Sequence, residues 1–472
     1  MKKHLTIVIK LGTSSIVDEK THEPLLSILS TIVETAVKLH KDGHRVVIVS
    51  SGAIGVALRR MDLPRRPKHL PQVQALAAIG QCRLMSLWDQ LFAHMNQPVA
   101  QILLTRNDIA DRTQYLNAQN TFHELLHMGV IPIVNENDTL AVTEIKFGDN
   151  DTLSAITAGM VQADYLFLMT DVDCLYDKNP RTNPDAKPIE VVEDIADLVA
   201  DVSSAGSSLG TGGMSTKIVA ARLATSAGVT TVITRSSKPG NIAAIVKYAE
   251  AQKVLQASMA SSHHSLTAED AQLAEKAATL DLTSSADGAA AGTLVSQGEI
   301  LDPASGLTAP LHTRFLPQNH AIRDRYFWLL HGLAPHGNLY IDEGAYRALA
   351  DKAGLLPVGI VDCDGHFHQQ EAVRLIVVKR SPSSVDAKRT SASADSPATG
   401  FEKENPAPFE VGRAVVNYSA AEIMRIRGLK STEIHNVLGY ADSEYVAFRE
   451  NVAFFRIERS RPTTPGLPMD AA

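Results

Sequence analysis

Six apolar runs in the first half of the chain, at 5–9, 45–49, 99–104, 130–134, 165–169 and 229–234, alternate with stretches whose apolar residues recur at helical spacing. Between the first two, Leu25, Ile28, Leu29, Ile32, Val33, Ala36 and Val37 line one helical face up to Gly43, which reads as a helix stop. Further helices are predicted at 113–127 and 151–161. Strand, helix, strand in this order requires crossover connections. The first half should therefore be an α/β fold with a mostly parallel central sheet covered by helices on both faces.

In such sheets ligands bind beyond the carboxyl ends of the strands. Five polar clusters fall there: Lys10-Leu11-Gly12-Thr13-Ser14, Ser50-Ser51-Gly52-Ala53, Asn135-Glu136-Asn137-Asp138, Gly148-Asp149-Asn150-Asp151 and Thr170-Asp171. A further segment, Gly210-Thr211-Gly212-Gly213-Met214-Ser215-Thr216-Lys217, puts a lysine in the first turn of a helix. The helix dipole disfavours a cation there by roughly 0.3–1 kcal/mol. Glycines that admit close approach, free N–H groups, hydroxyls and one ammonium together form a phosphate site. Its glycine spacing fits neither a dinucleotide fingerprint nor a P-loop.

Each cluster has a plainer reading. Lys10 could form a structural ion pair with a rim carboxylate such as Asp151, and Asn135, Asn137, Asp138, Asp149, Asn150 and Asp151 could cap helices or shape turns. The 210–217 segment could be an ordinary flexible turn. Independent caps, however, do not require two lysines at the same edge of one sheet. Of the histidine pairs, His263-His264 lies in low-complexity sequence and His366-Phe367-His368 alternates as a strand does, so neither has metal-ligand spacing.

With 472 residues, 44% hydrophobic and 21% charged, the chain can bury more than one core. Its formal charge of −7 argues against a protein that holds nucleic acid through its overall field. Cys82, Cys174 and Cys363 are far apart and fit reduced thiols in a cytosolic protein. The apolar run after Met1-Lys2-Lys3-His4 is stopped by Lys10, too early for a secretory signal, and no segment is long enough to span a bilayer. The expectation is a soluble, cytoplasmic protein with no membrane partner.

Four segments are expected: an α/β domain at 1–252, a low-complexity insertion or linker at 253–322 that can include a last strand near 313–316, a mainly β domain at 323–459, and a tail at 460–472. A short helix is expected at 268–280. Strands are expected at 326–330, 337–342, 358–363 and 373–378, then a loop rich in Ser and Ala at 381–408. Beyond it 409–416, a helix at 420–427, and 446–457 resume the second domain.

In order and spacing, the clusters from Lys10-Leu11-Gly12 to Thr216-Lys217 resemble the glutamate 5-kinases of the amino acid kinase family. Tyr340-Ile341-Asp342-Glu343-Gly344-Ala345 and Leu355-Leu356-Pro357-Val358-Gly359 resemble a PUA domain, a small mainly β pseudo-barrel. The two insertions look like those of a eukaryotic, fungal member. The resemblance implies an αβα sandwich and ATP-dependent phosphorylation of the γ-carboxylate of L-glutamate, the first step of proline biosynthesis. It implies Lys10, Lys217 and Asp151 as catalytic residues, and Ser51, Asp138, Asn150, Asn135 and Asp149 as glutamate ligands. Lys10, Gly12, Thr170, Asp171, Thr211, Gly212, Gly213, Met214, Ser215, Thr216 and Lys217 would form the ATP site, with Gly52 and Ala53 admitting phosphates. Mg²⁺ would be held mainly by ATP oxygens and water, with no metal site of the protein's own. The family further implies proline as feedback inhibitor and a homo-oligomer. The alternatives are an aspartate, N-acetylglutamate or UMP kinase, and a PUA-based RNA-binding protein. In the latter, Arg413, Arg425, Arg427 and Lys430 are accompanied by Glu410, Glu422, Glu433, Asp442 and Glu444.

Overall fold

The computed structural model describes residues 4–140, 150–195, 198, 213–263, 294–296, 299–301, 308–318, 321–322, 324–380, 401 and 408–455. The chain divides into two compact units, Met1–Asp108 with Arg112–Ile322, and Ile109–Asp111 with Arg323–Ala472.

The first unit runs β1 (Thr6–Leu11), α1 (Leu26–Lys41), β2 (Arg45–Ser50), α2 (Ala53–Arg60), α3 (Leu70–Ala93), β3 (Val99–Leu104), α4 (Arg106–Ala110), α5 (Arg112–His127), β4 (Ile131–Glu136), α6 (Asn150–Met160) and β5 (Tyr165–Thr170). It continues with β6 (Leu175–Tyr176), β7 (Pro188–Ile189), β8 (Val191–Val192), α7 (Met214–Ser226), β9 (Thr230–Arg235), α8 (Asn241–His263), β10 (Leu294–Ser296), β11 (Glu299–Leu301), β12 (Thr308–Pro310) and β13 (Thr313–Phe315). The main sheet has the order β3-β4-β2-β1-β5-β9-β13-β8. From β3 through β9 every pairing is parallel; β13 is antiparallel to β9 and parallel to β8.

Strand residues alternate between the two faces. Ile7, Ile9 and Leu11 of β1 join one core with Leu29, Ile32 and Val33 of α1, Leu84, Trp88 and Phe92 of α3, and Ile242 and Ile245 of α8. The opposite face of β1 carries Val8 and Lys10, both buried. Helices α5, α6 and α7 lie against β4, β1, β5 and β9. This accounts for the unbroken apolar runs: both faces of these strands are covered. Helix α1 ends as predicted at Gly43, whose φ is +92°. There the Gly43 N–H donates to His40 O and the His44 N–H to Leu39 O, the paired closure that a left-handed glycine permits.

Two expectations are corrected. Within 253–322, α8 continues to His263 and a three-stranded sheet β10-β11-β12 follows, neither of which belongs to a linker, while β13 enters the main sheet where the last strand near 313–316 is expected. The predicted helix at 268–280 and the low-complexity loop around 381–400 lie outside the described residues. The run at 326–330 is not a strand but a helical turn, Asp324–Phe327, followed by a π-helical turn, Trp328–Gly332. Phe327, Trp328, Leu329 and Leu330 are all buried, so the apolar run has no exposed face to give it a period.

In the second unit β14 (Gly337–Ile341), β15 (Ile360–Gly365), β16 (Ala372–Val377), β17 (Phe409–Val415) and β18 (Val452–Phe454) form one sheet ordered β15-β14-β16-β17-β18. Only β14 and β16 pair in parallel. Leu339, Ile341, Val373, Leu375, Val411 and Ala414 build its core, closed by Ile423 and Ile426 of the helix Ala420–Ile426. That helix opens on a capping box in which Glu422 accepts from the Ser419 N–H at 2.7 Å.

Candidate active site

The strand order reverses direction at β1: the chain goes out from β1 to β2 and the edge strand β3, places β4 between them, then crosses to the other side of β1 with β5 and β9. Such a switch point opens a crevice at the carboxyl ends of the strands. Lys10 stands near that end of β1, one residue inside the strand. Asp151 lies in the first turn of α6, and Lys217 in the first turn of α7.

These three side chains meet. Lys10 Nζ is 2.5 Å from Asp151 Oδ1, and Lys217 Nζ is 3.4 Å from Asp151 Oδ2. The Thr216 hydroxyl donates to the same Oδ2 at 2.8 Å and accepts from the Gly213 N–H at 3.0 Å. All three charged groups are buried, with relative exposures of 4% for Lys10, 0% for Asp151 and 7% for Lys217. Burial alone would raise the Asp151 pKa, but the ammonium groups of Lys10 and Lys217 outweigh it and hold the carboxyl down at about 2. Burial, and then repulsion from Lys10, lower the Lys217 pKa against the pull of Asp151. Two cations and one anion leave a net positive charge under the rim. Removing charges from water is costly unless they are matched, so an anion placed beside the two ammonium groups would be favoured. A Cβ at Gly12 would stand 3.8 Å from Lys10 Nζ, so glycine leaves the approach to that ammonium open.

A second cluster adjoins the first through the chain bond between Asn150 and Asp151. Asn150 Nδ2 donates to Ser51 Oγ at 2.8 Å, Asn135 Oδ1 at 2.9 Å and Ser50 O at 3.1 Å. Asn135, at the end of β4, donates to Gln81 Oε1 at 2.8 Å and accepts from the Glu136 N–H at 2.9 Å. The Trp88 indole N–H donates to Ser50 Oγ at 3.2 Å. Gly52 caps α2 with φ +94°, a conformation that glycine adopts without strain. Asp138 lies in the turn after β4. Thr170 ends β5, its hydroxyl 3.1 Å from Asp171 Oδ1, while Asp171 is exposed and paired with Arg181. Met214, Ser215 and Thr216 form the first turn of α7 after Gly213. Asp149, Thr211 and Gly212 lie outside the described residues.

Sequence reasoning missed Gln81 and Trp88 as members of this network, and named Ser50 only as part of the rim cluster Ser50-Ser51-Gly52-Ala53. Gln81 and Trp88 sit on α3, whose buried Val73, Ala77, Gly80, Leu84 and Trp88 recur at helical spacing; that period was the available signal. On its other side Gln81 borders an open cavity of about 680 Å³, lined also by Cys82, Met85, Asn137 and Thr139. Among the described residues no group of three His, Cys, Asp or Glu side chains could hold a metal ion, and both Asp151 oxygens face lysines.

The amino acid kinase family profile matches residues 5–235, and the PUA domain profile matches residues 337–438. Over 95% of this chain and 93% of its own length, a Schizosaccharomyces pombe protein named "Probable glutamate 5-kinase" is 51% identical. The chain belongs to the glutamate 5-kinase branch of the amino acid kinase family. An uncharacterised Saccharomyces cerevisiae protein is 45% identical over 96% of this chain and 99% of its own. The glutamate 5-kinase of a Cyanothece species is 41% identical over 95% of this chain and 98% of its own. This branch membership, together with the αβα fold, makes the chain a kinase. In its PUA unit Arg427 pairs with Asp362, Arg380 with Asp342 at 2.8 Å, and Arg374 and Arg413 of the sheet approach Glu410 at 3.8 and 3.7 Å. Among the described residues no helix is long and apolar enough to cross a membrane.

Proposed function

We propose that this kinase transfers the γ-phosphoryl group of ATP, delivered as its Mg²⁺ complex, to the γ-carboxylate of L-glutamate, giving L-glutamyl 5-phosphate as the first step of proline biosynthesis. The observation that carries this reading is the buried, net-positive Lys10–Asp151–Lys217 constellation beside the Ser51–Asn150–Asn135 cluster, on a chain of glutamate 5-kinase ancestry.

A carboxylate with an ordinary pKa near 4.3 is already ionised at neutral pH, so the nucleophile requires no general base. The barrier is electrostatic: one anion must approach another through a loose, in-line transition state. Lys10 and Lys217 would face the transferred group, and Asp151 would hold the two ammonium groups apart and in place. Ser51, Asn135, Asp138, Asp149 and Asn150 would take the amino acid. Gly12, Gly52 and Ala53 would let phosphates approach, while Thr170, Asp171 and the segment from Thr211 to Lys217 would hold the nucleotide. Mg²⁺ enters as part of the nucleotide substrate. The same ancestry supports proline as a competitive feedback inhibitor, a homo-oligomer and a cytoplasmic setting. The proposed domain division is a kinase domain at 1–252 completed by the strand near 313–316, and a PUA domain at 323–459.

Purified protein with ATP, Mg²⁺ and glutamate should form an acyl phosphate that hydroxylamine traps as a hydroxamate. Product with aspartate, N-acetylglutamate or UMP in place of glutamate would overturn the substrate assignment and leave the kinase.

A further inference from the structure

We propose that Gln81, on α3, is a positioning residue that fixes the donor and acceptor polarity of the amino-acid site. This rests on the substrate reading above for the identity of the ligand, but its geometry does not.

An asparagine can present its amide in two orientations, and only its neighbours decide between them. Two backbone groups anchor this network without ambiguity. The Glu136 N–H can only donate, so the atom it meets at 2.9 Å is Asn135 Oδ1. The Ser50 carbonyl can only accept, so the atom that meets it at 3.1 Å is Asn150 Nδ2. Between them Asn150 Nδ2 donates to Asn135 Oδ1. That leaves Asn135 Nδ2 pointing away from the site in a buried position, where it needs an acceptor. Gln81 Oε1 is that acceptor, at 2.8 Å.

The consequence reaches the ligand side. With the two Nδ2 protons of Asn150 shared among Asn135, Ser50 and Ser51, its Oδ1 has no donor among the described residues and is left as an acceptor, suited to an ammonium group. Ser51 Oγ, already accepting from Asn150, keeps its proton to donate to a carboxylate. Without Gln81 the Asn135 NH₂ loses its acceptor, so the present orientation is held only by the donors on its Oδ1 side, and turned forms of Asn135 that set two NH₂ groups face to face become less costly. In those forms Asn150 swings, and both polarities are lost. Gln81 touches none of the Lys10, Asp151 and Lys217 side chains, so the phosphoryl clamp is unaffected.

The test is a substitution series at Gln81 read by steady-state kinetics. Gln81→Glu keeps an acceptor, Gln81→Met removes it, and Gln81→Lys offers only donors. The expected glutamate KM is within about threefold of the parent for Gln81→Glu, roughly tenfold higher for Gln81→Met and at least as high for Gln81→Lys, with kcat and ATP KM nearly unchanged. If bulk charge governed instead, an anion-binding site would rank the variants the other way, Gln81→Lys best and Gln81→Glu worst. That order, a flat series, or a fall in kcat with glutamate KM constant would overturn the proposal. Should the parent enzyme prefer another acceptor, the substrate reading fails alone and the series is read with that acceptor. A ligand-free readout stands beside it: the side-chain amide NMR signals of Asn135 and Asn150 should move in Gln81→Met and stay in Gln81→Glu, and unmoved signals in Gln81→Met would overturn the proposal.

Discussion

Gly80 lies so close to Ala53 that a Cβ on the glycine would stand 1.7 Å from the Ala53 carbonyl oxygen. No rotamer change relieves a clash with backbone, so Gly80→Ala must push α3 away from the start of α2. Overpacking of this kind costs about 1–3 kcal/mol. We expect a lower melting temperature by differential scanning fluorimetry, and a raised glutamate KM because Ser51 and Gly52 precede the displaced turn. An unchanged melting temperature would show that the two helices separate freely.

Asp151→Asn removes the anion that separates two buried ammonium groups. On the proposed roles, in which those groups act in the transition state, kcat should fall by roughly 100-fold or more, with glutamate KM changing much less. Coupled-assay kinetics under saturating ATP check the split.

The same carboxyl couples folding to acid. Its folded pKa, about 2, lies below the ordinary carboxylate value, so its stabilising contribution is complete above about pH 4 and is lost as the pH falls towards 2. Urea midpoints measured between pH 5 and pH 2 should fall more steeply for the parent than for Asp151→Asn. Parallel curves would place the acid sensitivity elsewhere.

Lys217 gives the alkaline counterpart. Burial and Lys10 lower its pKa, so the ammonium is lost at a lower pH than in a free lysine. In kcat/KM, which reports the free enzyme, we expect activity to decline on the alkaline side before pH 10.4, the ordinary lysine value of about that size. In Lys217→Arg, whose guanidinium does not titrate in this range, whatever activity survives should lack that limb.

The three thiols should separate cleanly. Cys82 is exposed, whereas Cys174 and Cys363 are buried. Burial pushes their thiols up, to about 12 for Cys174 and about 11 for Cys363. A disulfide reagent at pH 8 should modify one thiol per native chain rapidly and the other two only after denaturation. Rapid modification of a second would mean that one of the cores opens.

The kinase unit was readable where burial on both faces made strands continuous and one covered face gave helices a period. Two of its strands were read two residues short, stopping before Lys10 and Asn135, because a polar residue inside a strand looks like the start of a loop. The pairing of Lys10 with Asp151 was foreseen from charge alone, since a buried ammonium needs a partner. Gln81 was not foreseen. Its role depends on an amide orientation shared with Asn135, from a strand and a helix far apart in the chain; the period of α3 marks the helix but not this role. The turn at Trp328 was misread for a different reason: an apolar run with no exposed side carries no period.

The strand β13 completes the main sheet on the far side of β9, yet it is encoded well after α8. During synthesis the kinase unit therefore waits for an antiparallel partner that arrives only after the 253–307 segment has left the ribosome. Until then β9 is an open edge able to pair with any passing strand. A chain truncated at residue 252 would keep every proposed phosphoryl-transfer residue and still be a hazard to its own solubility.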